Sequence, residues 1–244
     1  KHRICIQDES GVTAAVDAVD YEVAMASGSP VRDFGPRSDD DLYILYTGGT
    51  TGMPKGVVWR HVDVFYALGG GIDAHTGERA EQPDEMVERG EAEGGQVFLP
   101  IAPLMHGATQ WAVMSGSFVG RTLVLMAKFD PDQVWQLVAD EKVNGIMITG
   151  DAMGRPMVEA LDRAASKPDL ASWALLVSSA AVFSPTVKDR FFEHKENLII
   201  IDSIGSSETG NNGMAIITKG NTAMKGGGPT VRAGANAHVL DENL

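Results

Sequence analysis

Apolar residues in this chain gather in short runs separated by longer amphipathic stretches. Residues 42–47 (LYILYT), 97–101 (VFLPI), 122–126 (TLVLM), 145–149 (GIMIT), 174–178 (ALLVS) and 198–201 (LIII) each have the length and aliphatic content of a strand. Helix signals fall between them. Asp130 followed by Pro131 reads as an N-cap with proline at the first helical position, and Val134, Leu137 and Val138 then supply an apolar face. Ser184-Pro185 repeats the device, with Val187 and Phe191 one turn apart. Apolar strands spaced by helices predict βαβ units, hence an α/β fold with mostly parallel sheets covered by helices on both faces. Ligands of such sheets bind at the carboxyl ends of strands, so chemistry is expected in the loops that follow them.

Two regions break the alternation. Residues 69–95 are bracketed by glycine and rich in Asp and Glu, the composition of a solvated insertion with one short helix; an acidic partner-binding arm is the alternative. Residues 1–38 read as the tail of a preceding subdomain and a Ser, Gly and Pro linker, leaving 39–244 as the main α/β region.

Composition narrows the partners. A formal charge of −13 argues against a nucleic-acid partner, whose phosphates are bound by Lys and Arg. Any phosphate must be held by a local device. With one cysteine, Cys5, among 244 residues there is no internal disulfide and no cysteine metal site, which points to a reducing, cytoplasmic setting. No apolar stretch approaches the roughly 20 residues of a membrane span. The opening KHRICIQDES has neither a start Met nor a signal-peptide pattern.

The densest candidate chemistry is YTGGTTGMPKGV at 46–57. Gly48, Gly49 and Gly52 let backbone N–H groups approach an anion, Thr47, Thr50 and Thr51 add hydroxyl donors, and Lys55 adds a compact positive charge. It is not a Walker loop, because Pro54 precedes the lysine and Gly56 follows it. The stretch resembles the phosphate-binding signature of the adenylate-forming enzymes, the group of acyl-CoA synthetases, luciferases and peptide-synthetase adenylation domains. That signature usually reads [YF]-T-S-G-T-T-G-x-P-K-G-V, so Gly48 replaces a serine.

Further segments resemble the same family, in the family's order. Ala102-Pro103-Leu104-Met105-His106-Gly107 is similar to its segment at the floor of the acyl pocket. By that resemblance His106 and Gly107 lie beside the carboxylate substrate, with Trp111 as a candidate pocket wall. On the residues alone His106 reads as structural and Trp111 as core. Ser178-Ser179-Ala180-Ala181-Val182-Phe183-Ser184 is similar to S-G-G-A-P-L-S, whose backbone lies against adenine; Ser179 and Ala180 replace both glycines and Val182 the proline. Asp202-Ser203-Ile204-Gly205-Ser206-Ser207-Glu208 resembles the Y-G-x-[TS]-E segment, with Ile204 where an aromatic ring is common. There Ser207 would contact the α-phosphate and Glu208 would hold Mg²⁺, a hard cation suited to a carboxylate.

The resemblance implies ATP-dependent activation of a carboxylic acid to an acyl-adenylate, then thioester formation with CoA. ATP, Mg²⁺ and CoA are the implied cofactors, and a small carboxylic acid the implied partner. Thr51, Glu208 and His106 are the implied catalytic residues. Thr47 to Gly52, Lys55, Ser179, Ala180, Ala181 and the run Asp202 to Ser207 are the implied nucleotide contacts. The GGTTGMPKGV and GSSETG variants, with Trp59-Arg60-His61, look most like synthetases for fatty acids or steroid side-chain acids. The resemblance also leaves room for a homodimer. Alternatives are a non-catalytic nucleotide-binding relative and an amino-acid or aryl-acid adenylation domain, for which Asp151 is the residue to inspect.

Family length and the ending near Val239-Leu240-Asp241, just before the family's ribose-binding aspartate, make a central fragment the expectation, with the small C-terminal domain and its lysine outside it. The 244-residue chain is therefore expected to keep weak nucleotide contacts and to form no acyl-CoA. Measurable acyl-CoA synthesis by the purified chain would overturn this.

Overall fold

The computed structural model describes residues 3–7, 16–48, 52–73, 77–221 and 231–234. The chain divides into two compact units, Lys1–Ser38 and Asp39–Leu244. In the first, strand β1 (Ile4–Cys5) pairs in parallel with β2 (Val19–Asp20), which leads into helix α1 (Tyr21–Ser27). Asp20 caps α1 by accepting from the N–H groups of Glu22 and Val23, and no residue of that helix is buried.

The second unit opens with a hairpin. Strand β3 (Leu42–Thr47) runs antiparallel to β4 (Lys55–Arg60), in a register from Leu42 opposite Arg60 to Thr47 opposite Lys55. This corrects one expectation: the glycine-rich stretch does not follow a strand of the main parallel sheet, but lies between two strands of a separate two-stranded sheet. Strand β4 was missed because its residues sit inside the motif and the basic, aromatic run behind it. Helix α2 (His61–Asp63) continues into a π-helical turn, Val64–Leu68.

The acidic region is anchored as well as solvated. Its helix α3 (Glu85–Glu93) follows a short bridge between Ile72 and Arg79, whose guanidinium lies 3.6 Å over the Tyr66 ring. Ala80 and Met86 are buried there.

From Val97 onward the alternation is as expected. Strand β5 (Val97–Pro100), helix α4 (Gly107–Phe118), β6 (Thr122–Leu123), α5 (Pro131–Asp140), β7 (Gly145–Ile148), α6 (Gly150–Arg163), β8 (Leu175–Ser178), α7 (Pro185–His194) and β9 (Ile199–Ser206) follow in turn. Strand β10 (Gly210–Ile217) and β11 (Arg232–Ala233) complete a seven-stranded sheet of order β11-β10-β9-β8-β7-β5-β6. The pairings from β6 to β9 are parallel, whereas β10 and β11 are antiparallel, so the sheet is mixed. Asp130 caps α5 as read, accepting from the N–H groups of Asp132 and Gln133. Ser184 does not repeat the device: its hydroxyl pairs with that of Thr186, and Pro185 alone marks the start of α7.

The chain steps from β5 out to β6 and then back across the sheet to β7, β8 and β9. Right-handed crossovers therefore put α4 on one face and α5, α6 and α7 on the other. The second face holds the main core. Leu99, Ile146, Ile148, Leu176 and Ile200 from the strands pack with Val134, Trp135, Met157, Leu161, Val187 and Phe191 from the helices. Trp135, Trp173 and Phe191 meet edge-on at its centre, an arrangement favoured by ring quadrupoles. The opposite face is less covered than expected: Ile199 on β9 is exposed, while Leu175 and Val177 on β8 are half-buried.

The outer surfaces of α6 and α7 are joined by charge. Asp162 accepts from both Arg190 and His194. The Arg190 guanidinium, and secondarily His194, hold the Asp162 carboxyl below its ordinary range. A lowered folded-state pKa adds stability that is present above the unfolded value, about 3.9, and lost as pH falls through the folded one. Asp162→Asn is expected to cost about 1 kcal/mol near neutrality, since Asp162 is partly exposed and screened. Denaturant midpoints of the two proteins should converge as pH falls through the lowered folded-state pKa of Asp162.

Candidate functional site

In an open parallel sheet the binding crevice lies where successive crossovers leave for opposite faces. Here that point falls between β5, followed by α4, and β7, followed by α6. Three of the motif segments lie at the same edge. His106 follows β5, residues 179–184 follow β8, and the Ser207–Glu208 turn continues from β9. The last differs from expectation: β9 runs on to Ser206, and the turn is the tip of a hairpin with β10 rather than a loop after a short strand.

The loops at this edge satisfy one another's backbone groups. Ser178 is buried, and its hydroxyl accepts from the Gly150 N–H (3.2 Å), while its carbonyl accepts from the Ser203 hydroxyl (3.3 Å). Gly150 has φ +50°, and a Cβ there would lie 2.5 Å from the Val182 carbonyl oxygen, so the start of α6 tolerates only glycine. Asp151 donates its N–H to Val182 (2.9 Å) and accepts from the Ser184 N–H (2.8 Å), and its other oxygen meets Arg155 (2.9 Å). Both carboxylate oxygens are thereby committed within the protein.

Asp202 has a different place from the one read in the sequence. It faces the helix layer, where it pairs with Lys188 of α7, and the lysine is 1% exposed. Burial pushes the Asp202 carboxyl up, opposed by the Lys188 ammonium. Its Oδ1 is buried with no protein partner. Lys188 and Asp202 thus pin β9 to α7, and Ser203 is spent on Ser178; neither Asp202 nor Ser203 is presented to a ligand at the surface.

What the edge does present is Ile204, half exposed, then Gly205, Ser206, Ser207 and Glu208. The turn is held from within: the Ser206 and Thr209 hydroxyls pair at 2.9 Å, and Asn212 donates to Thr209 (2.8 Å). That leaves the Ser207 hydroxyl and the Glu208 carboxylate without a bond among the described residues. Those residues include no cluster of three His, Cys, Asp or Glu able to hold a metal. Glu208 is thus a lone exposed carboxylate, without a pair of His, Cys, Asp or Glu side chains around it among the described residues.

The β3–β4 hairpin reaches this turn through Trp59, whose indole N–H donates to the Ser207 carbonyl at 2.9 Å. Lys55 shares the Trp59 face of β4, about 13 Å away along the strand, and its ammonium has no partner among the described residues. Thr47 donates to the Lys55 carbonyl at a long 3.5 Å, Gly48 is open, and Gly52 has φ +112°. The expectations for Gly49, Thr50 and Thr51 fall outside the described residues, as does that for Val239-Leu240-Asp241.

His106 is exposed at the start of α4 and makes no side-chain cap. Gly107 is buried where a Cβ would lie 2.5 Å from Leu45, so α4 begins against the inner face of the hairpin. Trp111 is half-buried with its indole N–H unpartnered. Next to it the Tyr43 hydroxyl donates to Gln110 (2.5 Å), and burial raises the Tyr43 pKa. Sequence reasoning missed Tyr43, Gln110, Lys188 and the contact of Trp59. The WRH run behind the motif was the signal for Trp59; Lys188 had none beyond a charge on an apolar helix face.

Comparison with known proteins decides the family. The AMP-binding enzyme family matches residues 3–244. The chain belongs to that family. It is 47% identical over 245 residues to 3-oxocholest-4-en-26-oate–CoA ligase of Rhodococcus rhodochrous, covering 98% of this chain and 44% of the relative. It is also 47% identical over 228 residues to a medium/long-chain-fatty-acid–CoA/3-oxocholest-4-en-26-oate–CoA ligase of Mycolicibacterium smegmatis, covering 92% and 41%. The chain thus spans less than half the length of these curated relatives. In fold it is similar to the N-terminal domain of FACL13 from Mycobacterium tuberculosis (TM-score 0.60, 21% identity, 79% of this chain and 44% of that one). The N-terminal subdomain of Klebsiella oxytoca NpsA is a second match (TM-score 0.65, 18% identity, 91% and 52%). These neighbours share its α/β fold.

Within that fold one residue is strained. Ala180, where the family pattern has glycine, adopts φ +66°, a region that L-residues pay to enter. Ala180→Gly is expected to raise stability by roughly 0.5 kcal/mol, strain relief outweighing the added freedom of the unfolded chain. A higher denaturant midpoint at unchanged slope would show it; a lower midpoint would mean that Ala180 is not strained.

Proposed function

We propose that this chain is the central part of an AMP-forming acid–thiol ligase that activates a fatty or steroid side-chain carboxylic acid with ATP and passes the acyl group to CoA. One geometric observation carries the reading: the Ser207 hydroxyl and Glu208 at the sheet edge, and Lys55 on the hairpin tied to that edge through Trp59, have no partners among the described residues, whereas Asp151 and Asp202 at the edge are paired internally. The acid class follows the relatives named above. It is favoured over an amino acid because Asp151, the residue to inspect for an ammonium partner, is already bound to Ser184 and Arg155.

In this reading a carboxylate oxygen attacks the α-phosphorus, forming a new P–O bond. The bond from that phosphorus to the bridging oxygen breaks, and pyrophosphate leaves with the electron pair. The acceptor thiol then displaces AMP from the acyl carbon. The protein has two anions to hold together and developing negative charge to offset, which is positioning and electrostatic work. Lys55 and the loop from Thr47 to Gly52 grip the pyrophosphate end. Ser207 donates to the α-phosphate. Glu208 would hold Mg²⁺, which when bound neutralises phosphate charge. The backbone of Ser179, Ala180 and Ala181 and the Ile204 side chain border the base, and His106, Gly107 and Trp111 border the acyl group. We place Lys1–Ser38 as the end of a preceding subdomain and the working enzyme in the cytoplasm.

The test is ATP–pyrophosphate exchange by the full-length protein with medium- and long-chain fatty acids, a steroid side-chain acid, aryl acids and amino acids. Exchange with the first two groups alone is the expected result, and exchange with none, or with amino acids only, overturns the proposal. Lys55→Ala is expected to raise the KM for ATP about tenfold, the worth of one charge-assisted contact. Acid binding should survive. Loss of both would mean that the hairpin is not the phosphate grip.

A further inference from the structure

The inner face of the β3–β4 hairpin touches two other parts of the site. Tyr43 and Trp59 are directly opposite each other in the hairpin register, so their side chains lie on one face. The Tyr43 hydroxyl donates to Gln110 on α4, one turn beyond His106. The Trp59 indole donates to the carbonyl of Ser207, beside Glu208 on the β9–β10 tip. Both side chains are half-buried, and neither is part of the phosphate loop itself. From one face of the hairpin, Tyr43 and Trp59 therefore reach α4 on one side and the β9–β10 tip on the other.

The hairpin shares no backbone ladder with the seven-stranded sheet, because β3 and β4 pair only with each other. Its position relative to α4 and to the β9–β10 tip rests on side-chain contacts. Besides Tyr43 and Trp59, these include the seat of Leu45 against Gly107. Of the described side-chain hydrogen bonds from the two strands, those of Tyr43 and Trp59 are the ones that leave the hairpin for α4 and for the tip.

We infer that Tyr43 and Trp59 are positioning residues that together couple the acyl side of the site to its phosphate side. Trp59 sets the height of the Ser207–Glu208 turn against the phosphate hairpin. Tyr43 sets the start of α4, and with it His106, against the same hairpin. A ligand that orders the hairpin at one end thereby orders the partner loop at the other, which is a coupling free energy carried by packed elements. The inference rests on the proposed reading of the site as one for a carboxylic acid and ATP.

The experiment measures, in the full-length protein, the dissociation constants of Mg²⁺ with the non-hydrolysable α,β-methylene ATP analogue and of a medium-chain fatty acid, each with and without the other. The unaltered protein should show each ligand tightening the other. Trp59→Phe, which keeps an aromatic ring and removes the donor, is expected to weaken the nucleotide about fivefold, the worth of one lost hydrogen bond. Its affinity for the acid alone should be unchanged. Tyr43→Phe is expected to do the converse, and in both variants the mutual tightening should shrink toward none. Trp59→His, which retains a ring N–H, should recover nucleotide affinity that Trp59→Phe loses, as a packing role alone would not. Mutual tightening equal to that of the unaltered protein in both variants overturns the bridge while leaving the acid-activating reading intact. Absence of exchange activity with every acid in the unaltered protein overturns both.

Discussion

Everything at the candidate site depends on how the carboxyl edge of a parallel sheet satisfies its own backbone. Strands that end there leave N–H and C=O groups in a partly dry environment, where an unpaired group costs as much as a lost hydrogen bond. In this chain the loops answer one another: Ser178 binds the start of α6 and the end of β9, and Asp151 binds the loop after β8 twice. Those bonds consume the polar groups closest to the sheet, so only residues one step farther out remain for a ligand. Lys188 and Asp202 extend the logic to charge. A lysine near the start of a helix opposes the helix dipole, and burial adds a desolvation cost, so it persists there because the carboxylate opposite offsets both. Removing one partner would strand a buried charge, whereas the pair together fastens β9 to the helix layer.

The hairpin solves a different problem. On the proposed reading, a loop that admits and releases a large anion cannot be tied down by its neighbours at every residue, yet it has to sit at a set distance from the Ser207–Glu208 turn. Pairing β3 only with β4 frees it from the main ladder. Its inner face then takes up the fixing, with Leu45 against Gly107, Tyr43 on Gln110 and Trp59 on Ser207. Such side-chain ties are each worth little, and they can be remade if the hairpin moves. A ladder bond network, by contrast, resists small shifts because every register step flips a face.

How much of this was readable in advance follows from what local sequence encodes. The βαβ alternation from Val97 to Ile201 was legible because each strand there is a run of aliphatic residues and each helix has a boundary signal, as at Asp130 and Pro131. Strand β4 was not, because glycine, lysine and arginine mask its alternation and, among the described residues, β3 is the strand it pairs with. The reach of β9 through Ser203 and Gly205 was hidden for a similar reason: small polar residues carry weak strand propensity, and pairing with β10 overrides it. The motif segments were legible as chemistry, but not which members are presented. Asp202 looks like a ligand in one dimension and is a buried ion-pair partner in three, because the period-2 alternation of β9 turns it toward α7 along with Ile200.

The departures from the family pattern fall where that geometry is most and least forgiving. Gly48 for serine sits in open space, so the change removes a hydroxyl without disturbing packing. Ile204 for an aromatic ring stands half exposed beside a turn braced by Ser206, Thr209 and Asn212, so the change removes a ring while the turn keeps its shape. Ala180 is of another kind, since its cost is paid in the backbone whether or not a ligand is present. A loop forced into a left-handed step by its neighbours on α6 holds its peptide groups in one orientation, and alanine narrows the alternatives open to it more than glycine would. On the proposed reading, the loop after β8 is thus pre-set at some expense in stability while the hairpin is held by ties that can be remade, and one rigid and one adjustable element suit a reaction whose leaving group must depart while the acylated nucleotide stays.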